Sequence, residues 1–229
     1  MVTKVKTTKT TKTTKTTAQS LGLQVETLRP ALAEIERMIE YFKADMGFKT
    51  GRIVATIQTA GRQTGARQCV GWNAHNSWTD KDGGKISELN ISAETLLRGG
   101  VPIAVTVRHE LVHEKNALAG VKDTSRGGAY HNYHFKTAAE PVDLICGPWD
   151  KTYGYGATTA SAQLEARIIA ELRPDESAFT LVRKAIEAKK KNKQTTRMLK
   201  WNCGCTIIRA AVKVDATCNA CGESFALDS

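Results

Sequence analysis

The 229-residue sequence predicts an α+β protein: a small sheet, several amphipathic helices and a separate C-terminal cysteine module. Three observations carry that expectation. Apolar residues recur at helical spacing in several stretches, short β-branched runs lie between those stretches, and four of the six cysteines fall into two close pairs near the C-terminus.

In chain order, residues 3–17 read TKVKTTKTTKTTKTT and offer almost nothing to bury, so residues 1–20 are expected to form a disordered tail. Residues 24–46 place Leu32, Ile35, Ile39 and Phe42 at near-helical spacing, with Pro30 suited to a first turn. Residues 52–58 and 68–72 are strand candidates on either side of a glycine-containing turn. Residues 87–92 alternate, Leu89 and Ile91 against Glu88, Asn90 and Ser92, the pattern of a half-buried strand. A helix is expected from near Pro102 to about Leu118, then a loop at Gly120 and Gly127-Gly128. Further helices are expected at 131–140, 161–172 and 177–190. A basic linker (189–199) then separates a domain of residues 21–188 from the cysteine module at 200–229.

The formal net charge of +10 is unevenly placed. Residues 1–20 hold five lysines and residues 189–200 six basic groups, neither with an acid, which leaves the rest of the chain close to neutral. The body is therefore no basic saddle, while the tail and linker can attract phosphates without reading sequence. No run of 18 apolar residues exists, and no apolar stretch follows the N-terminal lysines, so neither a membrane span nor a secretory signal is expected. The resulting expectation is a cytoplasmic protein whose cysteines are thiols or metal ligands. Cys69 and Cys146, lacking close partners, are expected in the core.

The most informative segment is His109-Glu110-Leu111-Val112-His113, an H-E-x-x-H pattern. Helical positions four apart differ by about 40° around the axis, so His109 and His113 can reach one metal ion. Glu110, about 100° away, is free to serve as a base toward a metal-bound water. Ile103, Ala104, Val107 and Leu111 supply the opposite, apolar face. A catalytic zinc usually takes a third protein ligand. Ala119 stands where the metzincin pattern has its histidine, which leaves His131, His134 and Glu140 as candidates and His75 as a weaker one. Spacing alone does not choose among them. Cys203-Gly204-Cys205 and Cys218-Asn219-Ala220-Cys221 suit one tetrahedral, closed zinc site, with Ile207, Ile208, Val212 and Val214 favouring a β-hairpin between the pairs. So short a module needs its metal to fold.

The H-E-L-V-H run, the glycine-containing loop, Tyr130-His131-Asn132-Tyr133-His134-Phe135-Lys136 and the terminal cysteine pairs together resemble the SprT-like family, which includes the Spartan proteases. The resemblance spans roughly residues 50–229. It implies a minimal zincin-like metalloprotease domain, a small sheet plus active-site helix, followed by a β zinc ribbon. It also implies His131 as third ligand, with Phe135 and Lys136 at the family's aromatic and basic positions. Asn132 departs from the family's usual glycine, and His134 is an addition. The activity implied is zinc-dependent proteolysis of DNA-bound or DNA-crosslinked proteins, with one catalytic and one structural zinc and DNA reached through the tail, linker and ribbon. Tyr130 and Tyr133 are expected to serve in core packing or stacking, with hydrogen bonding to a developing oxyanion as the alternative. The strand at 87–92 is expected as the edge strand that pairs with an extended substrate. A DNA- or protein-binding adaptor with little turnover is the alternative, although it would have no need of Glu110. A nuclease would call for a carboxylate-rich two-metal cluster that the sequence lacks.

Overall fold

The computed structural model of the chain describes residues 25–60, 69–184 and 198–228, so the tail at 1–20 and linker residues 189–197 lie outside the described residues. Helix α1 (Arg29–Asp45) carries Pro30 in its first turn, where no amide hydrogen is required. Its buried stripe runs through Ala31, Ile35, Met38, Ile39 and Phe42.

Strands β1 (Ile53–Gln58), β2 (Gly71–Thr79) and β3 (Lys85–Ser92) form a mixed sheet of order β1-β3-β2. β1 runs parallel to β3, and β2 antiparallel with a register shift between Ala74 and Trp78. β2 starts three residues later than expected and runs much further. The expectation of a half-buried edge strand at 87–92 is corrected: β3 is the central strand and is buried from Ser87 to Ser92. Glu88 and Ser87 survive burial because they are hydrogen-bonded. Glu88 accepts from Thr56, Gln58 and Trp78, while Ser87 donates to Glu114.

A 3₁₀ segment (Ala93–Arg98) and Gly99, whose φ of +93° suits glycine, turn the chain into α2 (Gly100–Leu118). The carboxylate of Glu176 accepts from the Gly100 amide at the N-terminus of α2, which has no acceptor within the helix. α2 is buried along most of its length and packs on α1, β2 and β3. Two short strands, β4 (Thr124–Ser125) and β5 (Tyr130–His131), pair antiparallel and lead into α3 (Tyr133–Ala139). The helix expected from 131 thus starts later: Asn132 is its N-cap and accepts from the His134 and Phe135 amides, which leaves His131 on a strand. Next come β6 (Leu144–Cys146), its antiparallel partner β7 (Thr158–Ala160), and α4 (Ala162–Arg167), which ends in a π-helical turn at Ile168–Leu172. The helix expected at 177–190 is absent through residue 184. A 3₁₀ turn (Glu176–Ala178) gives way to irregular chain because Phe179 is drawn into the core and the Arg183 amide bonds the Ala93 carbonyl.

The C-terminal residues form an antiparallel sheet of β8 (Leu199–Asn202), β9 (Ile207–Ala210) and β10 (Ala226–Leu227), in the order β10-β8-β9. The hairpin does not lie between the cysteine pairs. Instead Cys203 and Cys205 sit in the turn joining β8 to β9, which Gly204 closes at φ +92°. Cys69 and Cys146 also depart from expectation: Cys69 is exposed and Cys146 half-buried against the core. Among the described residues no helix is long and apolar enough to cross a membrane.

Candidate metal centre and cleft

One helical turn separates His109 from His113 on α2, and β5 brings His131 against them. The three Nε2 atoms lie 3.2, 3.2 and 3.0 Å apart. Tetrahedral zinc with Zn–N bonds of about 2.0–2.1 Å holds its nitrogen ligands about 3.3 Å apart, so this donor set could hold such an ion. His134 is exposed, Glu140 ion-pairs with Lys136, and His75 bonds Glu114, so none of these joins the cluster.

Each imidazole is oriented from behind. The Nδ1 of His109 meets the Thr158 hydroxyl at 2.8 Å, and that of His113 meets the Asp123 carboxylate at 2.8 Å. Burial works to raise the Asp123 pKa, but the His113 hydrogen bond and charge and the Asn116 amide outweigh it and hold the group below its usual value. His131 is fixed through its backbone, donating to the Tyr153 carbonyl and accepting from the Tyr155 amide, both at 3.0 Å. Gly154 and Gly156 are obligatory here. A Cβ at Gly154 would lie 1.9 Å from the His131 carbonyl oxygen, and one at Gly156 would lie 2.6 Å from the His131 Nδ1. Phe135 underlies all three rings, with centroids 4.6 to 4.7 Å away.

Glu110 is buried on α2 beside the cluster. Gly71 of β2 lets the strand close on α2, since a Cβ there would lie 2.8 Å from the Asn90 carbonyl oxygen and 2.9 Å from Thr106 Cγ2, with the Glu110 carboxylate in ordinary contact at 3.4 Å. Loss of hydration pushes the Glu110 pKa up to about 7, against the opposing influence of the nearby His113 and the Asn73 backbone. The cluster opens into a cleft of about 1050 Å³. One wall is β2 through Gly71, Trp72, Asn73 and His75; another is the 127–131 loop with Tyr153 and Gly156. Neither sequence-nominated tyrosine lines it: Tyr133 is 66% exposed, and the Tyr130 hydroxyl accepts from Trp149 Nε1.

Sequence reasoning missed Asp123, Thr158, Gly154 and Gly156. The Tyr153-Gly154-Tyr155-Gly156 spacing was the available signal for a close backbone approach; for Asp123 and Thr158 there was none.

The second cluster brings together Cys203, Cys205, Cys218 and Cys221. Along its edges the Cys203–Cys205 and Cys205–Cys218 sulfur separations are 3.6 Å and the Cys203–Cys221 separation 3.7 Å. Four thiolates at about 2.3 Å from zinc stand about 3.8 Å apart, so this set too could hold that ion. The Cys221 and Ala220 amides push the Cys218 thiol well below its usual pKa. No protein-family model, curated protein or solved structure matches the chain.

Proposed function

We propose that the chain is a zinc-dependent endopeptidase with a zincin-like catalytic unit and a C-terminal zinc ribbon, as its SprT-like resemblance implies. The observation that carries the proposal is the convergence of three histidine Nε2 atoms beside a buried glutamate, at the floor of an open cleft. His109, His113 and His131 would hold the catalytic zinc, and the four cysteines the structural one. When bound, zinc supplies Lewis acidity toward a carbonyl oxygen and lowers the pKa of water. Glu110 takes a proton from the attacking water as its oxygen adds to the scissile carbonyl carbon, then returns that proton to the departing amine. Asp123 and Thr158 keep two imidazoles in the tautomer that presents Nε2 to the cleft. β2 pairs only with β3 among the described residues, so its outer edge is the one suited to pairing with an extended substrate.

The expected substrates are proteins bound or crosslinked to DNA, recruited through the basic segments and the ribbon. The test is cleavage of a generic DNA-binding protein with and without single-stranded DNA, comparing wild type with Glu110→Gln. Cleavage by wild type and its loss in the variant, with zinc content unchanged, is the expected result. Equal cleavage by both proteins would refute the assignment of Glu110.

A further inference from the structure

Arg98 ends the 3₁₀ segment before α2 and, among the described residues, is the one lysine or arginine lining the cleft. It is half-buried. Its Nε donates to the Thr95 carbonyl at 3.1 Å and one terminal nitrogen to the Thr106 hydroxyl at 3.2 Å. Both acceptors are neutral, and among the described residues no carboxylate forms an ion pair with it. A guanidinium carries five donors in a planar fork. Two are spent on anchoring this one, and among the described residues no acid answers its charge.

Burial lowers the Arg98 pKa, with no opposing anion. Arg98 nevertheless stays charged, because guanidinium titrates far above neutrality. Partly buried cations are normally paired. The acids that line the same cleft are otherwise placed: Glu110 lies by Gly71, Asp123 binds His113, and Glu165 is exposed on α4. Position adds a second argument. Thr106 lies one helical turn before Glu110 on α2, and Val101, Pro102 and Val105 line the same stretch. The anchored guanidinium thus sits beside the apolar end of the cleft, roughly a turn, about 5 Å along the helix, from the glutamate.

We infer that Arg98 forms a carboxylate-binding subsite of the cleft, which selects an aspartate or glutamate side chain of a peptide substrate near the bond to be cut. Val101, Pro102 and Val105 receive the methylene stem, and the free donors of Arg98 meet the carboxylate. A guanidinium meets a carboxylate through charge-assisted hydrogen bonds that are stronger than neutral ones. This inference rests on the peptidase reading for its biological meaning, but not for its binding test.

The experiment uses a fluorescent, otherwise neutral peptide in which one glutamate is moved through successive positions, with a glutamine series as control. Cleavage is followed with wild type, Arg98→Gln and Arg98→Met, and binding of the same peptides is followed by anisotropy on Glu110→Gln and on Glu110→Gln combined with Arg98→Gln. At one position glutamate is expected to exceed glutamine by about tenfold, in proportion to a partly exposed charged hydrogen bond. That ratio falls to about one in both Arg98 variants. A glutamate preference that survives both substitutions, or no preferred position in wild type, overturns the subsite. Glutamate-selective, Arg98-dependent binding without any cleavage would uphold the subsite and refute the peptidase reading. Equal losses for glutamate and glutamine peptides would show Arg98 to be a structural brace and overturn the inference.

Discussion

Replacing Gly156 with alanine isolates the wall behind His131. The added Cβ would stand 2.6 Å from Nδ1 and 3.0 Å from Cε1 of that ring, whereas ordinary contact begins at 3.4 Å. The ring must retreat by about 0.8 Å, several times the roughly 0.2 Å latitude of a metal–nitrogen bond. Gly156 does not have a positive φ, so alanine brings no backbone strain of its own and slightly restricts the unfolded chain. The damage should therefore fall on the third ligand and not on folding. We expect zinc affinity at the histidine site to drop about 10- to 100-fold, the range seen when groups that orient a ligand are disturbed, or about 1.4–2.8 kcal/mol. Competition against a chelator of known affinity measures this, on protein whose cysteine site is already filled. Thermal unfolding of the metal-free protein serves as the control and should change little. Zinc affinity within twofold of wild type would refute the argument that Gly156 sets the position of the His131 ring.

Three other outcomes are expected. Purified protein should carry two zinc ions, falling to one in Cys218→Ser/Cys221→Ser, as elemental analysis would read; one ion in both proteins would remove the ribbon site. His131→Ala should lose the catalytic-site ion while His134→Ala keeps it, because His134 lies outside the cluster; isotope-resolved metal content of the two variants decides. Burial raises the Asp45 pKa, but hydrogen bonds and charge from Arg108 and Arg167 outweigh that and hold it below its usual value, so its contribution to stability is present at neutral pH and fades as pH falls below about 4. Asp45→Asn should therefore cost about 2 kcal/mol at pH 7, less than a fully buried pair because Asp45 is partly exposed, and the gap to wild type in urea unfolding should shrink toward pH 3; a gap independent of pH would refute the pairing.

The sequence was most legible where one period governed burial. α1 and α2 show their apolar faces directly, and the two helix-borne histidines follow from a four-residue step. β3 misled because its alternating polar residues resemble a solvated face, whereas Thr56, Gln58 and Trp78 satisfy Glu88 from neighbouring strands, a tertiary fact that no local pattern contains. The helix expected from residue 177 failed similarly through residue 184: its spacing is helical, but Phe179 and the Arg183 amide find better partners in the core and at Ala93. Within the site, residue types with fixed coordination chemistry could be nominated from the chain. Asp123 and Thr158 could not, since carboxylates and hydroxyls are common and only the fold brings these two behind His113 and His109.

The three imidazoles are braced from separate stretches of chain: His109 from β7, His113 from the turn after α2, and His131 from the 153–156 segment. Each brace registers whether its own stretch is in place. The tightness with which the proposed ion is held would consequently be a gauge of assembly across residues 109 to 158, and a lesion in the β6–β7 hairpin should loosen the ion before it lowers the melting temperature. Slow chelator stripping could then rank variants by how well distant segments have docked, with the ion as an internal probe.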